Sequence, residues 1–119
     1  MKKLGVVGNR EGFTYLEVKH ELDKYPEIET IVTGGAYGVD RHAMRYAKER
    51  GLCLIVFYPD LSLGCPKCYF KRNEQIVNFL STSNLHNMLI AFNKKHHSGT
   101  QNTINIAKKY GIGLKIITG

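Results

Sequence analysis

The sequence predicts an α/β protein of Rossmann type: a three-layer α/β/α domain on a five-stranded parallel sheet of order 3-2-1-4-5. Three observations carry this. Five short β-rich runs alternate with four helical patterns. The runs are apolar throughout, as strands of a parallel sheet covered on both faces are. Glycine clusters stand where strands hand over to helices. Right-handed crossovers then put the first strand near the centre. A chain of 119 residues suits one domain, residues 1–119, with one main site.

Leu4 to Gly8 reads as the first strand. Tyr15, Val18, Leu22 and Tyr25 then recur at helical spacing until Pro26 stops the helix. The second strand, Thr30 to Thr33, runs straight into Gly34-Gly35-Ala36-Tyr37-Gly38-Val39-Asp40. Val39, Ala43, Tyr46, Ala47 and Arg50 mark the inner face of the next helix, which Gly51 closes. Leu52 to Tyr58 is an uninterrupted apolar run, expected to be a central strand buried on both faces. A loop of about a dozen residues follows Pro59, a length typical of lids and binding loops. The third helix is expected from Lys71 or Arg72, with Ile76, Val77 and Leu80 inward. Asn87 to Phe92 is the fourth strand, Ile104, Ala107 and Tyr110 face inward from the fourth helix, and Ile112 to Thr118 is the last strand.

With 43% hydrophobic and 23% charged residues, the composition is that of an ordinary folded protein and gives no reason to expect disorder. The formal charge of +7 favours an anionic partner: a nucleotide, a nucleic acid or an acidic surface. The basic residues are scattered, however, so a plain solvated surface explains them equally well. Lys2 and Lys3 precede only a short apolar stretch, which fits neither a signal peptide nor a membrane span, and a cytoplasmic protein is expected.

Three cysteines in such a setting argue against a disulfide framework. Cys53, inside a strand-like run, reads as a small buried hydrophobe. Cys65-Pro66-Lys67-Cys68 has spacing suited to zinc or redox chemistry, but a zinc site needs two more ligands, for which His86, His96 and His97 are the candidates. The favoured reading is a loop without metal, and no cofactor is expected beyond the ligand itself.

In a sheet of this order, ligands bind beyond the carboxyl ends of the strands, where the strand order reverses. Every loop at that edge is unusual. After the first strand, Gly8-Asn9-Arg10 combines close backbone approach with a forked, permanently charged donor. After the second, Gly34, Gly35 and Gly38, with Ala36 between them, can present N–H groups to an anion at a helix N-terminus that Val39 opens. Asp40 in that first turn is either a carboxylate offsetting the helix dipole or a catalytic or ribose-binding group. Asn73 is explained by capping alone, whereas Arg72 beside it is not. Ser98-Gly99-Thr100 is a plain cap or a phosphate contact. No G-x-x-x-x-G-K-[ST] or G-x-G-x-x-G occurs, and no ribose-binding acid ends the second strand. These absences argue against a P-loop phosphotransferase and an ordinary dinucleotide dehydrogenase.

Val7-Gly8-Asn9-Arg10, the block from Thr33 to Asp40, Arg72-Asn73-Glu74-Gln75-Ile76-Val77 and Ser98-Gly99-Thr100 together resemble the SLOG superfamily, especially its small stand-alone DprA-like Rossmann proteins. The resemblance implies a domain that binds nucleotides, nucleotide-derived signals or nucleic acid, often as a homodimer. LOG members split nucleoside monophosphates at the N-glycosidic bond with an arginine and a glutamate. The comparable stretch here, His97 to Thr103, has no carboxylate where that motif supplies one.

Three functions therefore stand, in this order: binding of a nucleotide derivative; N-glycosidic hydrolysis with Arg10, Asp40 or Glu74 as catalytic candidates; and binding of single-stranded nucleic acid, with Tyr37 and Tyr69 as the ligand-side stacking aromatics.

Overall fold

A computed structural model describes residues 2–82, 87–94 and 98–119, the side chains of Lys2 and Ser98 excepted. Its ten elements run β1 (Lys2–Gly8), α1 (Tyr15–Leu22), β2 (Ile28–Thr33), α2 (Val39–Arg50), β3 (Cys53–Val56), a 3₁₀ turn (Leu61–Leu63), α3 (Lys67–Ser81), β4 (Met88–Phe92), α4 (Ser98–Tyr110) and β5 (Gly113–Ile117). The five strands form one parallel sheet of order β3-β2-β1-β4-β5, the Rossmann-like arrangement the sequence predicts.

The helix ends follow local chemistry. Thr14 caps α1 in a capping box with Glu17: the Thr14 hydroxyl accepts from the Glu17 N–H while the Glu17 carboxylate accepts from the Thr14 N–H. Gly51, in the left-handed region at φ 67°, ends α2 and gives its N–H back to that helix. The sheet separates two apolar layers. On one face, Val18 and Leu22 of α1 with Val39, Ala43 and Tyr46 of α2 close over Leu4, Val6, Ile31 and Phe92. On the other, Ile76, Val77 and Leu80 of α3 with Ile104 and Ala107 of α4 close over Val7, Val32, Leu89 and Ala91.

Several expectations are corrected. The run from Leu52 to Tyr58 is not a central buried strand: β3 lies at the sheet edge, only Cys53–Val56 pair, and none of the four is fully buried. A continuous apolar run records β-propensity and partial cover, and this edge strand satisfies both: Leu52 and Leu54 pack partly buried against one apolar layer, Ile55 and Phe57 against the other. Cys53 is accordingly exposed. Arg50 and Tyr110 point outward, because each ends its helix beyond the sheet's cover.

α3 begins at Lys67, one turn earlier than expected. Arg72 and Asn73 therefore lie in its second turn, and Asn73 caps nothing. Cys65 and Cys68 are joined as a disulfide across the start of that helix, against the expectation of an unbridged loop. His86, His96 and His97, the candidates to complete a metal site with them, lie outside the described residues, among which no cluster able to hold a metal occurs. Among the same residues, no helix is long and apolar enough to cross a membrane.

Candidate functional site

The strand order reverses between β1 and β4, and the loops leaving those two strands diverge there. A cleft of about 500 Å³ opens at that edge. That volume lies within the range of small-molecule sites. Of the residues singled out in the sequence, Gly8, Asn9, Arg10, Ala36, Asp40, Arg72, Asn73, Gly99 and Thr100 stand on its walls. Loops that are far apart in sequence thus meet where the topology requires.

Asn9 holds the floor together. Its side-chain amide donates to Asn93 Oδ1 (3.0 Å) and Thr100 Oγ1 (3.2 Å), and its Oδ1 accepts the Lys94 N–H (2.6 Å). Asn73 does the same between helices, donating to Asn102 Oδ1 (3.0 Å) and to the Gly99 carbonyl (3.4 Å). Both asparagines are buried, and their bonds fix the first turn of α4 against β1 and α3. The backbone N–H groups of that turn have no acceptor within the helix and carry its positive dipole end.

The glycine block after β2 is built differently from a phosphate cradle. The Asp40 carboxylate turns back from the first turn of α2 and accepts the N–H groups of Gly34 and Ala36, both at 3.2 Å. Those donors are therefore already used. A Cβ on Gly34 would stand 2.7 Å from Arg72 Nη1, and one on Gly35 would stand 2.5 Å from the Tyr58 ring. Gly38, at φ 81°, lies directly against the carbonyls of Asn9 and Arg10. Each of these glycines admits another part of the protein. Gly34, Gly35, Gly38 and Val39 do not line the cleft.

Arg72 is the hinge of this wall. Its Nη1 donates to the Gly34 carbonyl (2.6 Å), its Nε to Asn73 Oδ1 (2.8 Å), and its guanidinium lies 5.8 Å from the Tyr69 ring centre. Burial lowers its affinity for a proton and the nearby Asp40 opposes this, so it remains charged near neutrality. Burial likewise pushes Asp40 up to about 6, against the pull of the Ala36 N–H, Arg72 and the Gly34 and Gly8 N–H groups. Asp40 is thus mainly a carboxylate at neutral pH, with its Oδ2 held by the Gly34 and Ala36 N–H groups.

Arg10 is exposed at the cleft mouth and close enough to Arg72 to be felt by it. Glu74 is turned away: it is exposed, pairs with Lys71 at 3.9 Å and does not line the cleft. Ser98 opens α4 beside the cleft, but its side chain lies outside the described residues. Tyr37 is exposed under the Arg41 guanidinium (4.1 Å) and off the cleft, whereas Tyr69 is on it. Glu11, Pro66 and Phe70 also line the cleft and were not singled out. No spacing in the sequence identifies Glu11. For Pro66 and Phe70, the one signal available was Pro66 itself, since proline suits the start of a helix.

Residues 12–64 match the model of the YspA, cpYpsA-related SLOG family. The match takes in the glycine block and β3 but stops before the disulfide, Arg72 and α4. Among solved structures, DNA processing protein A (DprA) from Streptococcus pneumoniae is similar, with a TM-score of 0.78 and 21% identity over 98% of this chain and 50% of that one. The chain spans half the length of that protein. No curated protein matches significantly.

Proposed function

In this SLOG-type chain we propose that the cleft between β1 and β4 binds a nucleotide or nucleotide-derived anion. The observation that supports this is that Arg10, the first turn of α4, Tyr69 and Phe70 all line the one cleft. A cation and a helix N-terminus suit a phosphate, and an aromatic wall suits a base. Arg10 is the group assigned to the phosphate, because it is exposed and makes no side-chain hydrogen bond or ion pair among the described residues, while Arg72 holds the wall.

The two carboxylates named as catalytic candidates support binding over turnover; Glu11, also on the cleft, is the carboxylate left to test. Glycosidic cleavage needs a carboxyl group free to donate a proton or to stabilise developing positive charge. Asp40 is engaged with backbone donors and Glu74 stands outside the cleft.

A thermal-shift series with nucleoside mono-, di- and triphosphates, ADP-ribose and cyclic nucleotides tests the reading, followed by chromatography of each stabilising compound. The expected result is a raised melting temperature with the ligand recovered intact. Recovery as free base and ribose phosphate would instead mark a hydrolase. For the ligand found, Arg10→Ala should weaken affinity about tenfold or more, the loss of a charge-assisted contact. A folded R10A protein with undiminished affinity would overturn the assignment.

A further inference from the structure

The Cys65–Cys68 disulfide is not absorbed by this function. We propose that it is a thiol–disulfide exchange site, with Cys65 as the sulfur attacked and Cys68 as the resolving cysteine, whose state governs the cleft wall formed by Pro66, Tyr69 and Phe70. The chemical class of its reactants is small thiols, dithiols and their disulfides.

The bridge is poorly suited to stabilising the whole fold. It closes a loop with a sequence separation of 3, and chain entropy makes the shortest loops contribute least. Its local effect is large. Every residue from Asp60 to Lys67 is exposed, and the 3₁₀ turn within that stretch buries nothing. Cys68, the next residue, is fully buried in the core. The disulfide is therefore the covalent anchor that joins an exposed segment to the packed helix, immediately before the residues that line the cleft.

The two sulfurs are also unequal. Cys65 is exposed, so an external thiolate can reach it, while Cys68 is closed to solvent. Attack on the Cys65 sulfur forms a mixed disulfide and breaks the Cys65–Cys68 bond, the electron pair leaving on the Cys68 sulfur. Cys68 stands in the first turn of α3, whose dipole favours the departing thiolate. Burial then favours its protonation. With a dithiol reductant, the second thiolate attacks its own sulfur in the mixed disulfide. This releases Cys65 as thiolate and leaves the reductant as a cyclic disulfide, two electrons and two protons having passed to the protein. A disulfide such as oxidised glutathione drives the reverse.

Cys53 is free and exposed, so the test is made in a Cys53→Ser background. Mass measurement after alkylation should find no free thiol in the oxidised protein and two after dithiothreitol. In C53S/C68S, oxidised glutathione should add one glutathione at Cys65. Hydrogen exchange, which needs no variant beyond C53S, should speed up about tenfold or more over residues 60–70 on reduction, with β1 and β2 unchanged. Thiols that resist oxidation by glutathione disulfide would overturn the proposal. So would equal exchange in both states, or faster exchange throughout the sheet, which would mark a global staple. Any change in nucleotide affinity on reduction rests on the function proposed above, but these readouts do not, so either idea can fail alone.

Discussion

Asp40 has the most consequential environment of any single residue. Its carboxyl titrates at about 6 in the fold against 3.8 ordinarily. Between those values the folded state holds more proton than the unfolded one, so this group's contribution to stability falls as pH rises through that window and is level above it. Comparing denaturation midpoints of wild type and Asp40→Asn from pH 4 to pH 7 should reveal this slope in the wild type alone. At pH 7 the variant should still be less stable by about 3 kcal/mol, because Arg72 is left buried with its nearby counter-charge removed. Gly38 is the second decisive residue. An alanine there meets the carbonyls of Asn9 and Arg10 and must hold φ 81°, which should cost roughly 2 kcal/mol or more in chemical denaturation.

At the scale of elements, α1 and α2 are tied by Asp23, which closes α1 and accepts from Lys19 (2.8 Å), Tyr46 (2.8 Å) and Arg50. These donors, Lys19 and Tyr46 first, hold its carboxyl far below the usual range. The sign is opposite to that of Asp40: the stabilisation is fully present above the ordinary carboxylate value and is lost progressively as pH falls from there through the lowered value in the fold. Asp23→Asn should therefore lower the thermal midpoint at pH 7 and match wild type in strong acid. α3 carries more of the architecture, since Leu80 is fully buried against the sheet. Leu80→Ala should cost about 3 kcal/mol by denaturant unfolding through the cavity it leaves.

For the whole molecule, charge and topology act together. The +7 charge raises the local concentration of any anion, while the strand order fixes where it can dock. A nucleotide in the cleft engages few cations, so its affinity should fall only gently between 50 and 200 mM salt. A single-stranded oligonucleotide held across the basic surface should lose affinity steeply over the same range, with a logarithmic slope of about 0.7 per phosphate neutralised. Titration of both ligands at the two salt levels separates a small-molecule site from a nucleic-acid surface.

The strand order, the span of α2 and the edge at which the loops gather were legible in the sequence, because periodicity, glycine stops and crossover handedness are local or general constraints. Arg10, Arg72, Asn73 and Thr100 were found by the same route, as polar residues in loops at that edge. What each of them does was decided by the tertiary structure alone. The glycine block reads in sequence as a phosphate loop. In the fold, the N–H groups of Gly34 and Ala36 serve Asp40, and its missing side chains admit Arg72, Tyr58 and the backbone of the β1 loop. Cys65 and Cys68 illustrate the same division: their spacing offered metal, redox or neither, and the early start of α3 brought the sulfurs together. A sequence states which groups are available at an edge, but whether a donor meets a ligand or another group of the protein is set by the folded backbone, through near partners such as Asp40 for Gly34 and Ala36 and through distant ones such as Gly34 for Arg72 and Thr100 for Asn9.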